Sequence, residues 1–328
     1  INRECYQKDT INAIKLLKDN CFKVDIHIMP DLPGSNLNMD HIMFNKIIYD
    51  NRYQADQWKI YPCNVLEFTK IKEWYDNGSY KPYAESDFNG FFELIIWVLK
   101  NIPPWIRVNR IQRDFPGNYI EGGNKFTNLR QMLNDHLKNN NFHSKDIRHM
   151  EVKTDYSNVN NAKLIRIDYE GSNDKDIFLS HKSCNCKICY HYIFYLMINF
   201  TLSFFGIHYS YYGCDNEDKI YSFLRLRINK NKYESCFSNE YINKAKIREL
   251  HVYGRVNDTY SKNNIKSSQH IGFGKKLMNE AEIISKNYGC DGAIVIAGVG
   301  TRNYYRKLGY EIDSTLKNNG EFMIKYFK

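Results

Sequence analysis

Two short segments near the end of the chain carry the residues best suited to chemistry. The first, QHIGFG at residues 269–274, is a Q-x-x-G-x-G pattern directly before a predicted helix over residues 275–288. Glycines at such a junction let a ligand approach the backbone, and the unpaired N–H groups of a helix start favour a pyrophosphate. The same glycines could instead only build a turn. A dinucleotide fold is disfavoured, because the G-x-G-x-x-G order and the run of parallel units that it needs are missing.

The second segment, GVGTRNYYRKLGY at residues 298–310, contains the pair Tyr304 and Tyr305. A phenol with a pKa of about 10 can donate a proton to a departing anion, which is general-acid chemistry. The chain has 26 tyrosines, so the alternative is that both are core aromatics. In this order and spacing, the two segments resemble the acetyl-CoA site of the GNAT-type N-acetyltransferases.

That resemblance implies a role for each matching residue. The strand that contains RELHV would pair with the pantetheine arm of acetyl-CoA, and the glycine loop would hold the pyrophosphate. The tyrosines would lie beside the thioester sulfur, with Tyr305 preferred. The implied catalytic residues are Tyr304 and Tyr305, and the implied acetyl-CoA-binding residues are Glu249, Leu250, His251, Val252, Gln269, Gly272, Phe273, Gly274, Lys275 and Tyr305.

The composition is that of a folded protein with an uneven positive charge. Of the 328 residues, 43% are hydrophobic and 25% are charged, which excludes disordered, collagen-like and disulfide-scaffold classes. Residues 100–166 contain twelve Lys and Arg against six Asp and Glu, so +6 of the net +9 is concentrated there. Such a stretch favours a polyanionic partner, most simply nucleic acid, although a solvated basic surface would have the same composition.

Three of the nine cysteines form a cluster. The other six are scattered singly, which favours a reducing compartment. Cys184, Cys186 and Cys189, together with His191, could complete a tetrahedral zinc site; buried free thiols are the alternative. The apolar stretch at residues 193–207 is too short to span a membrane. Its alternation of polar and apolar residues over 198–204 predicts a strand.

The pattern along the chain predicts three regions. Residues 1–105 alternate short strands with helices in the α/β manner, and residues 106–160 form a basic linker region. Residues 161–328 contain successive strands, a glycine-rich turn, a helix and an apolar strand at 293–299, which is an α+β arrangement.

Further motifs make the resemblance more specific. They are HIMPDLPG, KIYP, PPWIRVNRIQRD, NLRQ, RELHVYG, QHIGFG and GVGTRNYYRKLGY, in that order. With these motifs, the chain resembles the catalytic subunit of Elongator over most of its length. This resemblance implies the C-terminal part of a radical S-adenosylmethionine (β/α) partial barrel in residues 1–105, and a GNAT-like acetyl-CoA-binding domain with a mixed sheet in residues 161–328. It also implies carboxymethylation of the tRNA wobble uridine at C5, with acetyl-CoA as donor. The implied partners are tRNA and either further Elongator subunits or a second copy, and the implied location is cytoplasmic or nuclear.

The chain also departs from the family pattern. The family's 4Fe-4S cluster, which works with S-adenosylmethionine, needs three cysteines close in sequence, whereas Cys5, Cys21 and Cys63 are isolated. We therefore expect the cluster ligands in a preceding segment and no radical step from this chain alone. A glycine that the family has after the KIYP strand is Phe68 here. The conformation of that loop therefore does not follow from the family pattern.

The basic region supplies the candidate tRNA contacts. We select Arg107, Arg110, Arg113 and Arg130, with salt-bridged supports of the domain junction as the alternative. Two other functions stay open at this point. One is acetylation of protein lysines with Glu249 as base, which the basic charge disfavours because a groove for a basic peptide is usually acidic. The other is a non-catalytic tRNA-binding module, which the intact Q-x-x-G-x-G pattern and the tyrosine pair disfavour.

Overall fold

The computed structural model describes residues 4–183, 218–230, 241–254, 272–313 and 322–328. Within these ranges the chain forms a three-stranded sheet, a seven-stranded sheet and a two-stranded ribbon, and we number the elements in chain order over these residues. The helices are α1 (Gln7–Asp19), α2 (Leu37–Tyr49), α3 (Lys70–Asp76), α4 (Tyr83–Ser86), α5 (Phe88–Asn101), α6 (Leu129–Asn139), α7 (Ile147–Met150), α8 (Phe273–Asn287) and α9 (Arg302–Arg306). The strands are β1 (Asp25–Ile28), β2 (Gln57–Ile60), β3 (Val65–Leu66), β4 (Arg107–Ile111), β5 (Ile120–Gly122), β6 (Lys163–Gly171), β7 (Asp174–Ser183), β8 (Lys219–Ile228), β9 (Lys244–Val252), β10 (Gly292–Ile296), β11 (Glu311–Ile312) and β12 (Phe322–Tyr326).

The three-stranded sheet is parallel, in the order β1–β2–β4, and its buried face carries the core of the first half of the chain. Side chains alternate between the two faces of a strand, so Trp58 and Ile60 in β2 share one face with Val108 in β4. All three are completely buried among side chains of α2, α5 and α6. Helix α5 ends just before Pro103 and Pro104, as the sequence predicts.

The opposite face of the same sheet is polar. His27, Lys59 and Arg110 are in register across the three strands, and the side-chain amide of Asn109 donates a hydrogen bond to Gln57 (2.7 Å). Strand β4 lies in the region predicted to be a basic linker and forms the third strand of the sheet. The basic residues at its start are therefore part of the α/β unit.

The seven-stranded sheet is mixed, in the order β11–β12–β10–β9–β8–β7–β6. Strands β6 to β9 are antiparallel neighbours, β9 and β10 are parallel, and β10, β12 and β11 are antiparallel again. Helix α8 covers this sheet because Leu277, Ala281 and Ile284 recur on one face at helical spacing and are buried against Leu226 and Val295. The predicted mixed sheet is thus confirmed.

Element positions agree closely with prediction where the apolar pattern is clear. The helix predicted at residues 275–288 is α8, and the strand predicted at 293–299 is β10. The strand predicted at 198–204 lies outside the described residues. Strand β7 was not predicted, because its sequence DKDIFLSHKS looks polar although nearly all of it is buried.

The loop after β3 keeps a glycine-like backbone without a glycine. Phe68 adopts a φ of 61°, which lies in the left-handed region that side chains with a Cβ rarely occupy. Its side chain is fully exposed. The loop therefore has a left-handed backbone at this position without a glycine, and the phenylalanine side chain extends into solvent.

Buried ion pairs join the two sheets around Asp56, which directly precedes β2. Its carboxylate accepts two hydrogen bonds from the guanidinium of Arg248 in β9 (2.6 and 2.7 Å), and its backbone carbonyl accepts one from Arg225 in β8 (3.2 Å). Burial alone would raise the pKa of the Asp56 carboxyl, but the charges of Arg248 and Arg225 outweigh it and hold the pKa far below its usual range. Asp56 is thus an anion that connects the first sheet to the second.

A second set of buried contacts extends the same junction. Arg227 in β8 binds Asp19 at the end of α1 (2.6 Å), and Lys18 pairs with Asp176 in β7. Trp105, just before β4, stacks on a tyrosine of β6, Tyr169, with ring centroids 4.1 Å apart. We call this whole set, from Lys18 to Arg248, the ionic junction; it consists of Lys18, Asp19, Asp56, Asp174, Asp176, Arg225, Arg227 and Arg248.

Candidate functional site

The start of α8 is built to leave backbone N–H groups open. Gly272 directly precedes the helix with a φ of 78°, which glycine adopts without strain, and none of the described side chains caps the helix. Phe273 anchors the first turn because its buried ring stacks on the imidazole of His181 (4.2 Å between centroids). His181 in turn is hydrogen-bonded through Nδ1 to the hydroxyl of Ser222 (2.9 Å). The helix start is therefore held in place and can bind an anion.

Three residues predicted for one site converge at this helix start. A Cβ atom placed on Gly274 would lie 2.8 Å from the hydroxyl oxygen of Tyr304 in α9 and 3.4 Å from a methyl group of Val252 at the end of β9. The first distance is shorter than an ordinary van der Waals contact and the second is at its limit. Because position 274 is a glycine, Tyr304 and Val252 can therefore lie this close to the backbone of α8. The structure thus brings the glycine loop, the end of β9 and the tyrosine pair together.

Strand β9 loses one of its neighbours at the same place. It pairs with β10 only over Lys244–Ile247, whereas its pairing with β8 continues to Val252. The β8–β9 register shifts at Arg248, where one extra residue in β9 forms a bulge. Beyond Ile247, the edge of β9 that faces β10 has no strand partner among the described residues. Backbone groups of the segment 249–252 can therefore pair with an extended ligand.

The two tyrosines occupy different environments. Tyr305 is 7% exposed and packs in the core under α8, where burial raises the pKa of its hydroxyl to about 12. Tyr304 is 38% exposed and its hydroxyl reaches Gly274; burial raises the pKa of this hydroxyl as well, so it stays protonated at neutral pH. The rings are perpendicular, 5.3 Å apart. Tyr304 is thus the member of the pair that faces the helix start.

The remaining residues of β9 face different directions. Glu249 forms ion pairs with Arg225 (2.8 Å) and Lys23 (3.2 Å), so its carboxylate is not available as the base that lysine acetylation would need. His251 stacks on Phe223, and Leu250 packs toward the core under α8. Of the other predicted residues, Lys275 is exposed in the first turn of α8, and Gln269 lies outside the described residues.

Two of the four predicted tRNA-binding arginines bind other elements of the chain. Arg107 donates hydrogen bonds to Glu151 (2.6 Å) and to the hydroxyl of Tyr253 (3.1 Å), which ties β4 to the end of β9. Arg130 donates to the backbone carbonyl of Val108 (2.8 Å). For these two residues, the supporting role that the sequence left as an alternative is the one that the contacts favour.

The other two arginines are exposed. Arg110 pairs with Asp114, and the guanidinium of Arg113 lies over the rings of Tyr61 (5.5 Å) and Phe115 (4.9 Å). Both are at the end of β4 that is away from the ionic junction. They remain the candidates for contact with a polyanion.

The HIMPDLPG motif forms a buried turn after β1. Asp31 adopts a φ of 65°, and its carboxylate accepts hydrogen bonds from the N–H groups of Tyr83 (2.7 Å) and Ala84 (3.0 Å). Burial raises the pKa of this carboxyl to about 7. Asp31 therefore fixes the loop to α4, and sequence analysis did not assign it that role.

In the part of the chain that the structure describes, potential metal ligands are scattered and the helices are short. No three His, Cys, Asp or Glu side chains there are close enough together to hold a metal ion. Cys5 is exposed, and Cys21 and Cys63 are buried at separate positions. The zinc candidates Cys184, Cys186, Cys189 and His191 lie outside the described residues. None of the described helices is long and apolar enough to cross a membrane.

Known proteins resemble this chain over its whole length. The model of the family described as Radical_SAM C-terminal domain matches residues 55–139. The tRNA uridine(34) acetyltransferase of Methanocaldococcus jannaschii is 33% identical, and the match covers 98% of this chain and 53% of that protein. Human Elongator complex protein 3 is also 33% identical, with 100% of this chain and 53% of that protein covered. The structure of archaeal Methanocaldococcus infernus Elp3 with an N-terminal deletion matches with 31% identity and a TM-score of 0.76, covering 99% of this chain and 68% of that one.

Fold and comparisons together define an α/β protein with a radical-SAM C-terminal domain. The chain belongs to the family of Elongator complex protein 3 and the tRNA uridine(34) acetyltransferases, as the sequence motifs predicted. It spans about half the length of the curated relatives that it matches.

Proposed function

We propose that this chain is part of an enzyme that modifies the wobble uridine of tRNA at C5, with acetyl-CoA as the donor of the two-carbon group. Membership of the family supports a transferase that acts on tRNA. The observation that carries the acetyl-CoA assignment is the convergence of Gly274, Val252 and Tyr304 at an uncapped helix start. In this proposal residues 161–328 are the GNAT-like acetyl-CoA-binding domain.

Each element of the convergence has one task. The N–H groups at the start of α8 would bind the pyrophosphate of acetyl-CoA, because an uncapped helix start carries partial positive charge. The unpaired edge of β9 at residues 249–252 would hydrogen-bond the amides of the pantetheine arm. Gly274 lets the hydroxyl of Tyr304 lie close to the helix start, where a side chain would displace it.

Tyr304 would supply the proton chemistry. Its hydroxyl is protonated at neutral pH and reaches the ligand side of Gly274, so it can donate a hydrogen bond or proton to the thioester sulfur as the thiolate leaves. Tyr305 would position Tyr304, because it is buried directly behind that ring. We therefore place Tyr304 beside the sulfur, instead of the Tyr305 that the sequence favoured.

The radical part of the reaction is not assigned to the residues described. The family implies S-adenosylmethionine and a 4Fe-4S cluster, but the cysteines in the first half of the chain are separate from each other and two of the three are buried. These residues do not fit a cluster, so no step is derived through one.

The test is hydrolysis of acetyl-CoA by this chain, measured as release of free coenzyme A with and without tRNA. We expect turnover that rises at least tenfold when tRNA is added and that is absent in Gly274→Arg, in which a long side chain would displace Tyr304 and cover the helix start. A lysine-rich peptide is the comparison substrate. Turnover that responds to the peptide and not to tRNA would contradict the proposal. No binding of acetyl-CoA at all would favour a non-catalytic tRNA-binding module.

A further inference from the structure

The two edge strands of the seven-stranded sheet differ in length. Strand β11 at one edge has two residues, whereas β6 at the other edge has nine, Lys163–Gly171. Over its described length β6 pairs with β7 in an unbroken register, with neither a proline nor a bulge. The other side of β6 has no strand partner among the described residues. A long and regular edge strand is a template for a further strand, and proteins usually shorten or interrupt such edges.

Side chains alternate between the two faces of β6. The half-buried face carries Ile165, Ile167 and Tyr169, of which the last two pack against the core around Phe178. The exposed face carries one apolar and three charged residues, Leu164, Arg166, Asp168 and Glu170. A strand that continued the sheet at this edge would therefore need the same alternation of apolar and charged residues.

Two opposite charges lie in the middle of the exposed face. The guanidinium of Arg166 donates two hydrogen bonds to the carboxylate of Asp168 (2.7 and 2.8 Å). The ammonium of Lys175 in β7 lies 3.4 Å from the same carboxylate. Only Ile167 separates Arg166 from Asp168 along the strand. The strand therefore has a positive and a negative position placed symmetrically about Ile167.

These positions make β6 complementary to a second copy of itself. In an antiparallel pair with a two-fold axis at Ile167, Arg166 lies opposite Asp168 of the second copy, and Ile165 lies opposite Tyr169. Opposite charges, and aromatic with β-branched side chains, are favourable cross-strand pairs. Moving the axis to a neighbouring residue would place two Arg166 or two Asp168 side chains opposite each other, which is unfavourable. An odd shift of the register would place the half-buried face of one strand beside the exposed face of the other.

We propose that β6 is the interface of a homodimer, in which two copies of this chain pair through this edge around a two-fold axis at Ile167. The two seven-stranded sheets would then form one continuous sheet, and both copies would contribute the same residues to the interface. At the axis, Arg166 and Asp168 of the two copies would form one cluster in which the signs alternate. None of these residues belongs to the acetyl-CoA site, so the dimer does not depend on the proposed function.

Sedimentation velocity of the full chain from about 1 to 100 µM tests for the dimer, because weak association becomes visible in this range. We expect a dimer that dissociates on dilution, since the pairing of one strand gives a small interface. Arg166→Asp and Asp168→Arg should each be monomeric, because each variant places like charges opposite each other twice. An equimolar mixture of the two variants should form a heterodimer, since two acidic residues then lie opposite two basic ones. Misfolded variants would not restore each other in this way.

Disulfide trapping tests the register of the pair. Directly opposite residues of antiparallel strands have Cα atoms about 4.5–5.5 Å apart, a distance that a disulfide bridges. Ile167→Cys should therefore form a covalent dimer under mild oxidation. Ile165→Cys is the matched control on the same face, because its Cα atoms in the two copies would be about 14 Å apart. The wild-type chain, oxidised in parallel, accounts for its own cysteines.

Three results would overturn the proposal. A wild-type chain that stays monomeric over the whole concentration range would leave this edge to a strand of another protein. Dimers that persist in Arg166→Asp would place the interface on a different surface. Equal crosslinking of Ile165→Cys and Ile167→Cys would contradict the axis at Ile167 and with it the charge pairing on which the dimer is based.

Discussion

The contact between Gly274 and Tyr304 allows a substitution whose effects on stability and on binding have opposite signs. In Gly274→Ala, the new methyl group would lie 2.8 Å from the tyrosine hydroxyl, so Tyr304 has to move by about 0.6 Å to restore an ordinary contact of 3.4 Å. The tyrosine can move, because the atom concerned is the far end of a partly exposed side chain. The backbone of Gly274 does not have a positive φ, so alanine fits its conformation.

The expected stability change is therefore small and favourable. Alanine in place of glycine within a helix typically stabilises by about 0.5–1 kcal/mol, and the displaced tyrosine offsets part of this gain. Acetyl-CoA binding should weaken about tenfold, because the methyl group and the displaced tyrosine ring take up room at the helix start. A tenfold loss corresponds to about 1.4 kcal/mol.

Two measurements and one control check this reasoning. Urea unfolding gives the free energy of unfolding, and isothermal titration calorimetry gives the affinity for acetyl-CoA. Asn279→Ala, at an exposed position in the same helix, should show the stability gain without the loss of affinity. Wild-type affinity in Gly274→Ala would refute the assignment of this space to the ligand.

Three further predictions test other parts of the structure. Tyr304→Phe should reduce acetyl-CoA turnover about 100-fold while leaving acetyl-CoA affinity nearly unchanged. Tyr305→Phe should keep most of the turnover. Steady-state kinetics would distinguish the two variants, and a larger loss in Tyr305→Phe would restore Tyr305 as the proton donor. Burial lowers the pKa of His181 from 6.5 to about 4, so the unfolded state binds the proton first as pH falls. His181 should then lower the free energy of unfolding by about 1.4 kcal/mol for each pH unit between pH 6.5 and 4, whereas the raised pKa of Asp31 acts in the opposite direction over this range. Urea titrations therefore compare the wild type with His181→Gln, and the free energy of unfolding of the wild type relative to this variant should decrease as the pH falls. Arg248→Met should destabilise the protein by about 3 kcal/mol, because it leaves the buried Asp56 without its main partner, and the double variant with Asp56→Leu should recover part of that loss.

The parts of the fold that could be predicted are those with a regular apolar pattern. Leu277, Ala281 and Ile284 repeat at helical spacing and mark α8 to within two residues. The run of apolar residues in β10 is equally clear. These segments are recognisable because a helix with one apolar face and a strand with two apolar faces each give a distinctive spacing of apolar residues.

The ionic junction could not be predicted, because its residues have the composition of a surface. In the β8 sequence SFLRLRI, Arg225 and Arg227 alternate with leucines, a pattern that normally indicates an exposed polar face. Both arginines are in fact buried, and the acids that pair with them come from distant segments such as α1 and β7. Alternation predicts the face of a strand but not what covers that face.

The same limit applies to the candidate site. The glycine pattern and the tyrosine pair identified the region, but which tyrosine reaches Gly274 depends on how α9 is rotated against α8. Similarly, the basic composition of residues 100–166 did not distinguish Arg107 and Arg130, which hold elements together, from the exposed Arg110 and Arg113. Charge is visible in the sequence, whereas the partner of each charge is a property of the fold.

The ionic junction has a consequence for how the two halves of the reaction would communicate. Separating the sheets would expose or unpair Asp56 and Arg248 at a cost of several kcal/mol, so a hinge at this place is strongly disfavoured. The end of β9 and the polar face of the first sheet therefore keep a constant distance, bridged directly by Arg107 and Tyr253. Any group that leaves the helix start of α8 for the polar face of the first sheet would therefore have to be carried by motion of the bound ligand, because the ionic junction opposes a movement of one sheet toward the other.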